Sequence, residues 1–131
     1  EYSVQVIASP DGALRSVVPA SILIKRGITI SAVTTADEGV LKACDDLHHA
    51  FPTSGIYNIQ GILTRDGKFL VFEINPRVST TLCLAVAAGI DVVTLSCTAG
   101  ERIPAREGIR LDRFWTNVFS GISEGEEDKL D

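Results

Sequence analysis

The 131-residue chain has no methionine, three cysteines and no surplus of positive charge. Each shortage removes a class of explanation. Cys44, Cys83 and Cys97 are widely spaced and contain no CxxC pair, so no thiolate metal spacing is present. Cys83 lies in an apolar run of helical pattern and reads as a small packed hydrophobe. Free thiols of this kind fit a reducing cytoplasm best. The net charge is −5, and residues 124–131 carry −4 of it through five acids and one base, which leaves the body at −1. A nucleic-acid partner is therefore not expected, because that needs a basic footprint. No apolar run reaches the ~18 residues of a membrane-spanning helix. No cationic segment precedes an apolar one at the N-terminus, so no signal peptide is visible. Without a methionine, and opening at Glu1, the chain reads as part of a longer protein or a product of processing. Residues 1–122 have the length of one domain, and residues 123–131 read as a solvated, disordered acidic tail.

What is present is concentrated in Phe72-Glu73-Ile74-Asn75-Pro76-Arg77. Alternate residues of a strand share a face. Glu73, Asn75 and Arg77 are thus expected on one side, with Phe72 and Ile74 on the other. A carboxylate and an amide oxygen suit a hard cation such as Mg²⁺, and a guanidinium suits a phosphate oxygen. The strand-like runs 55–64 and 69–75 flank Asp66-Gly67, a hairpin signal. A two-residue turn there sets Gln60 opposite Glu73 and Asn58 opposite Asn75, within about 5.5 Å between Cβ atoms. Tyr57, Ile59, Leu63, Leu70, Phe72 and Ile74 then form the core-facing set. A slip by one residue would break both patterns.

These residues resemble the metal-binding end of the ATP-grasp ligases. Asn58-x-Gln60 followed by Glu73-Ile74-Asn75-Pro76-Arg77 carries the likeness. Asn75-Pro76-Arg77-Val78-Ser79 and Ala88-Gly89-Ile90-Asp91 bring it closest to the carbamoyl phosphate synthetase branch. The resemblance implies that Gln60, Glu73 and Asn75 are ligands of Mg²⁺ or Mn²⁺, and that Arg77 contacts the γ-phosphate of ATP or an acyl phosphate during catalysis. It implies ATP-dependent activation of a small carboxylate or bicarbonate. It also implies that another ATP-grasp subdomain completes the clamp on ATP, so that the chain alone is inactive. Other ATP-grasp ligases, such as amino-acid ligases or biotin-carboxylase-like enzymes, share these residues, and a non-catalytic nucleotide-binding module is the reading from a different class. Two departures stand out: Ser79-Thr80-Thr81 where many relatives have arginine or glycines, and Ala20 where many have arginine after Val-Val-Pro. Lys25 and Arg26 are the nearest cations to the second.

The remaining pattern predicts an α+β fold, a mainly antiparallel sheet with helices on one face, as in the C-terminal subdomain of that family. A first hairpin turns at Pro10-Asp11-Gly12, residues 22–24 extend its second strand, and residues 27–31 are a loop entering a short strand. Thr35 and Glu38 have capping-box spacing for a helix that ends before Pro52. Thr80 and Thr81 open a helix that ends at Gly89, and a further helix spans 92–98. His48 and His49 read as surface or rim residues. Residues 104–112 read as a loop and 113–119 as a short strand. The polar face of the 55–75 hairpin is expected to be open, and its apolar face covered by helices 36–50 and 80–88.

Overall fold

The structure is a computed structural model, and it describes residues 1–114. The strands are β1 (Tyr2–Ala8), β2 (Leu14–Arg26), β3 (Ile28–Thr34), β4 (Gly55–Leu63), β5 (Phe69–Asn75) and β6 (Arg110–Asp112). The helices are α1 (Glu38–Ala50), α2 (Leu82–Ala87) and α3 (Val92–Cys97). The six strands form one sheet in the order β5-β4-β1-β2-β3-β6, with antiparallel neighbours throughout. The α+β class and the antiparallel sheet are as expected.

β1 is buried along its whole length, because both its faces are covered. Tyr2, Val4 and Val6 point one way and pack with Val17, Tyr57, Ile59 and the α1 residues Val40 and Cys44. Ile7 points the other way, with Val18, Ala85, Ile90 and Leu95. The helices therefore divide between the faces, α1 on one and α2 with α3 on the other. The expectation that helices 36–50 and 80–88 share a face is corrected. β1 explains the difference: Ser3, Gln5 and Ile7 alternate with an apolar set, and its second face needs a cover of its own.

Both hairpins close with one loop design. Ser9 N–H donates to Ala13 O at 2.9 Å and Gly12 N–H to Ser9 O at 2.9 Å. Thr64 N–H donates to Lys68 O at 2.9 Å and Gly67 N–H to Thr64 O at 3.0 Å. Gly12 and Gly67 have φ of 83° and 82°, the left-handed region that glycine occupies without a Cβ penalty. In each loop a hydroxyl, Ser9 or Thr64, donates to the aspartate before the glycine, and this lowers the pKa of Asp11 and of Asp66. The second loop thus has three residues, not two. Leu63 faces Phe69, and Ile62 faces Leu70.

That extra residue would have moved Glu73 out of register, but a bulge restores it. Gly61 pairs with Val71 while Gln60 pairs with Glu73, which leaves Phe72 as the additional residue. The expected pairs Gln60–Glu73 and Asn58–Asn75 form. The expected core set does not hold entire: Phe69 packs in the core, with its ring edge-on to Tyr2 at 6.0 Å. Leu70 and Phe72 are exposed, and Ile74 is 46% exposed. β5 is an edge strand among the described residues.

Other differences are local. β2 and β3 run longer than expected and meet at Gly27, with φ 73°. The N-cap of α1 is Asp37, without a side-chain cap bond. Thr35 cannot serve because its N–H still pairs with Pro19 O on β2 at 3.0 Å. Asp91 caps α3 by accepting from Thr94 N–H at 3.1 Å, and Gly89, with φ 92°, follows α2. Residues 110–112 form β6 against β3 rather than a loop. Most of the expected strand 113–119, the end of the 1–122 domain and the acidic tail lie outside the described residues. His49 is exposed, but His48 is buried. Its Nε2 lies 2.7 Å from Gly12 O and its Nδ1 2.8 Å from Tyr57 Oη. A carbonyl only accepts, so Nε2 carries the proton and Tyr57 donates to Nδ1. Burial pushes the Tyr57 phenol up to about 12, which keeps it a donor. Cys83, expected in the core, is exposed, and Cys44 is the buried cysteine.

Two tests follow. A Cβ on Gly61 would lie 2.5 Å from the Phe69 ring and 2.7 Å from Leu70 O. The ring can swing aside, but the carbonyl moves only with β5. Gly61→Ala is expected to cost about 1–3 kcal/mol, read as a lower urea midpoint at unchanged slope. Burial pushes the Cys44 thiol up to about 12. In the folded protein, iodoacetamide should label Cys83 and Cys97 and spare Cys44, as mass spectrometry would show.

Candidate functional site

The site begins with a fully buried amide. Asn58 Nδ2 donates to Ser3 Oγ at 2.9 Å and to Val4 O at 3.1 Å. The backbone carbonyl cannot donate, so this end of Asn58 is the NH₂ end. Its Oδ1 must then be the acceptor that lies 3.3 Å from Gln60 Nε2. Gln60 in turn presents NH₂ to Asn58, and among the described residues its Oε1 has no hydrogen-bond partner. The orientation of one amide is relayed to the next, and a carbonyl oxygen is left available beside Glu73.

Gln60, Glu73 and Arg77 line one cavity of about 280 Å³. Glu73 is exposed and Gln60 half-buried. Ser3, Ser79, Thr80, Lys25 and Thr29 complete its polar wall. Asn75 shares the face, one pair further along, opposite Asn58, and is not in the wall. Among the described residues neither Glu73 nor Arg77 has a salt-bridge partner. Also among them, no three His, Cys, Asp or Glu side chains converge. A cation held here would rest on one carboxylate and the amide oxygens, with the rest of its shell from its ligand. That donor set suits Mg²⁺, which commonly takes one or two carboxylates plus phosphate oxygens.

Arg77 reaches the cavity by a route that strand alternation does not describe. β5 ends at Asn75. Arg77 N–H then donates to Asn75 O at 2.7 Å, a three-residue turn across Pro76 of the kind common at strand ends. Its Nη1 donates to Val78 O at 3.1 Å. The segment that follows is held from below. Thr81 Oγ1 lies 2.9 Å from Ser3 Oγ and 2.7 Å from Ser79 Oγ, and Gln5 Nε2 donates to it at 3.0 Å. Gln5 also donates to Ser79 Oγ. Thr81 is the N-cap of α2, but its hydroxyl is taken by this network and makes no cap bond. Arg113 donates to Thr80 O and, at 2.9 Å, to Thr29 O.

The polar face, expected to be open, is instead flanked by α2 and its leading segment. Sequence reasoning did not find Ser3 and Thr29 in the wall. Ser3 pairs with Gln60 across β1 and β4, a long-range pairing that no local pattern announces. It grouped Asn58 with the polar cluster, and the structure makes it the buried support of that cluster.

The family described as ATP-grasp in the biosynthetic pathway with Ter operon matches residues 1–112. The chain belongs to this ATP-grasp family. Its fold is similar to the crystal structure of the phosphoribosylaminoimidazole carboxylase ATPase subunit from Aquifex aeolicus, with a TM-score of 0.54 and 18% identity, over 66% of this chain and 27% of that one. The chain thus spans about a quarter of that protein's length. No curated protein matches the sequence. Among the described residues of this ATP-grasp chain, no helix is long and apolar enough to cross a membrane.

The relay separates support from chemistry. Asn58→Ala strands the buried partners Ser3 and Val4 and should cost about 2 kcal/mol. Glu73→Ala should stay within about 0.5 kcal/mol of wild type, as an exposed change away from packing does. Denaturant unfolding of both variants checks this, and equal losses would contradict the division.

Proposed function

We propose that this chain holds the phosphates and the metal in one half of an ATP-grasp active site, in a ligase that activates a small carboxylate or bicarbonate with Mg-ATP. The observation that carries the reading is that Gln60, Glu73 and Arg77 all line one polar cavity. The family match and the name of the structural relative, the ATPase subunit of a carboxylase, support the use of ATP.

Glu73, Gln60 and Asn75 would hold Mg²⁺ or Mn²⁺. The metal supplies neutralisation of the β- and γ-phosphate charge. Arg77 presents a planar fork of donors that matches two phosphate oxygens. The acid's carboxylate oxygen attacks the γ-phosphorus, the bond from that phosphorus to the ADP oxygen breaks, and an acyl phosphate and ADP result. An amine or similar nucleophile then displaces phosphate. The protein contributes positioning and electrostatics, and no side chain need take a proton in the first step. The partner is the remaining ATP-grasp subdomain, which closes over the nucleotide. The motif Asn75-Pro76-Arg77-Val78-Ser79 favours carbamoyl phosphate synthetase-like chemistry within this class.

Joined to that subdomain, Glu73→Ala should lower kcat by at least about 10²–10³-fold, the scale for loss of one electrostatic stabiliser of a transition state. Near-normal ATP turnover would overturn the assignment. The 131-residue chain alone should bind ATP no more tightly than about 1 mM and show no turnover. Calorimetry and a phosphate-release assay measure both.

A further inference from the structure

The hydroxyls that hold the segment after β5 can each be given a direction. A hydroxyl has one proton and two lone pairs. Ser79, Thr81 and Ser3 form a chain of three, with oxygens 2.7 Å and then 2.9 Å apart.

Gln5 begins the chain. Its Nε2 meets both Ser79 Oγ and Thr81 Oγ1, and its Oε1 is buried with no partner among the described residues. The reversed amide would bury two unpaired donor protons in place of one unpaired acceptor, and each unpaired group carries a desolvation penalty. The nitrogen therefore faces the hydroxyls and gives each of them a proton. Ser79 Oγ also accepts from Thr81 N–H at 3.2 Å. Both its lone pairs are then filled, so its own proton goes to Thr81 Oγ1. Thr81 Oγ1 in turn accepts from Gln5 and Ser79, so its proton goes to Ser3 Oγ. Ser3 Oγ accepts from Thr81 and, at 2.9 Å, from Asn58 Nδ2, whose direction the Val4 carbonyl fixes. The chain ends there with one proton left over.

Ser3 is buried, and it lines the cavity together with Gln60, Glu73 and Arg77. Among the described residues its hydroxyl proton has no acceptor. With both lone pairs taken, Ser3 Oγ cannot coordinate a metal and can only donate. Ser3 pairs with Gln60 across β1 and β4, which sets their Cβ atoms roughly 4.5–5.5 Å apart. Gln60 offers an oxygen and Ser3 a proton. An acceptor and a donor side by side match a cation and an oxygen of the anion bound to it.

We propose that Ser3 is a ligand-binding residue of the cavity, whose hydroxyl donates to a phosphate oxygen beside Gln60. The direction of the Gln5–Ser79–Thr81–Ser3 chain makes it an obligate donor. Placing a metal ion on that phosphate rests on the proposed ligase function, whereas the donor itself does not.

The test is an NMR titration of the 131-residue chain with inorganic phosphate, at ionic strength fixed with chloride. In the saturated wild type, the Ser3 hydroxyl proton should show a scalar coupling to phosphorus across the hydrogen bond. Ser3→Ala should weaken phosphate binding by about tenfold, the low end for a hydrogen bond to a charged group, with amide shifts away from the cavity unmoved. No phosphate binding by the wild type, no coupling in its complex, or an unchanged affinity in Ser3→Ala would overturn the proposal. If Ser3→Ala does not fold, the coupling in the wild type decides. A parallel titration with ATP, with and without Mg²⁺, in wild type and Glu73→Ala tests the ligase reading separately. If Mg²⁺ has no effect there while the coupling to Ser3 is present, the donor stands and the ligase reading falls.

Discussion

A backbone carbonyl has lone pairs and no proton, and Val4 O sits 3.1 Å from Asn58. That asymmetry fixes which end of a buried amide is nitrogen, and the site face inherits the decision. Asn58 offers oxygen to Gln60, Gln60 keeps its own oxygen free, and the free oxygen stands across from Glu73. Ser3 carries the constraint sideways, since its hydroxyl meets both Asn58 and Thr81, and Thr81 is where α2 begins. One set of buried hydrogen bonds thus orients an amide on β4 and anchors the segment that bears Arg77. A network this deep is stable only when its members are satisfied. Among the described residues its one lapse is Gln5 Oε1, buried without a partner.

The hairpin shows a different kind of constraint. A three-residue loop and a bulge each shift the register by one, and only together do they bring Glu73 opposite Gln60. Gly61 makes room for this, with the Phe69 ring and Leu70 O where a side chain would be. The consequence is paid along β5, where Leu70 and Phe72 face outward on an edge strand. The Gln60–Glu73 pairing and the exposed apolar edge have one cause.

Much of this was legible in the sequence, for identifiable reasons. Asp-Gly after a strand-like run marked both turns, and the polar residues at 58, 60, 73 and 75 marked a shared face. The loop length was misread because the hydroxyl-to-aspartate bond that favours the three-residue form is a side-chain effect, not visible as strand periodicity. Phe72 was assigned to the core because alternation assumes an unbroken ladder. Thr35 was assigned as a cap because spacing does not reveal that its backbone still pairs with β2. The placement of α2 was missed because an antiparallel sheet was assumed to have a wet face, whereas Ile7 and Val18 require burial on that side too. That Glu73 and Arg77 line one cavity was legible because they fall in one short segment. Their supports, Ser3 and Thr81, come from distant segments and are ordinary residue types.

The charge pattern of the cavity shows why so few residues suffice. A phosphoryl transfer makes no demand for a nucleophile or a base from the protein when the acid arrives ionised. What it demands is that like-charged reactants, a carboxylate and a triphosphate, be brought together. One carboxylate, Glu73, is enough to hold a divalent cation whose remaining ligands are phosphate oxygens. A second would spend positive charge that the reactants need. Under the proposed function, Arg77 beyond β5 would offer the triphosphate its counter-charge. Among the described residues Arg77 has no acidic partner, which under the proposed function leaves its donors for a phosphate.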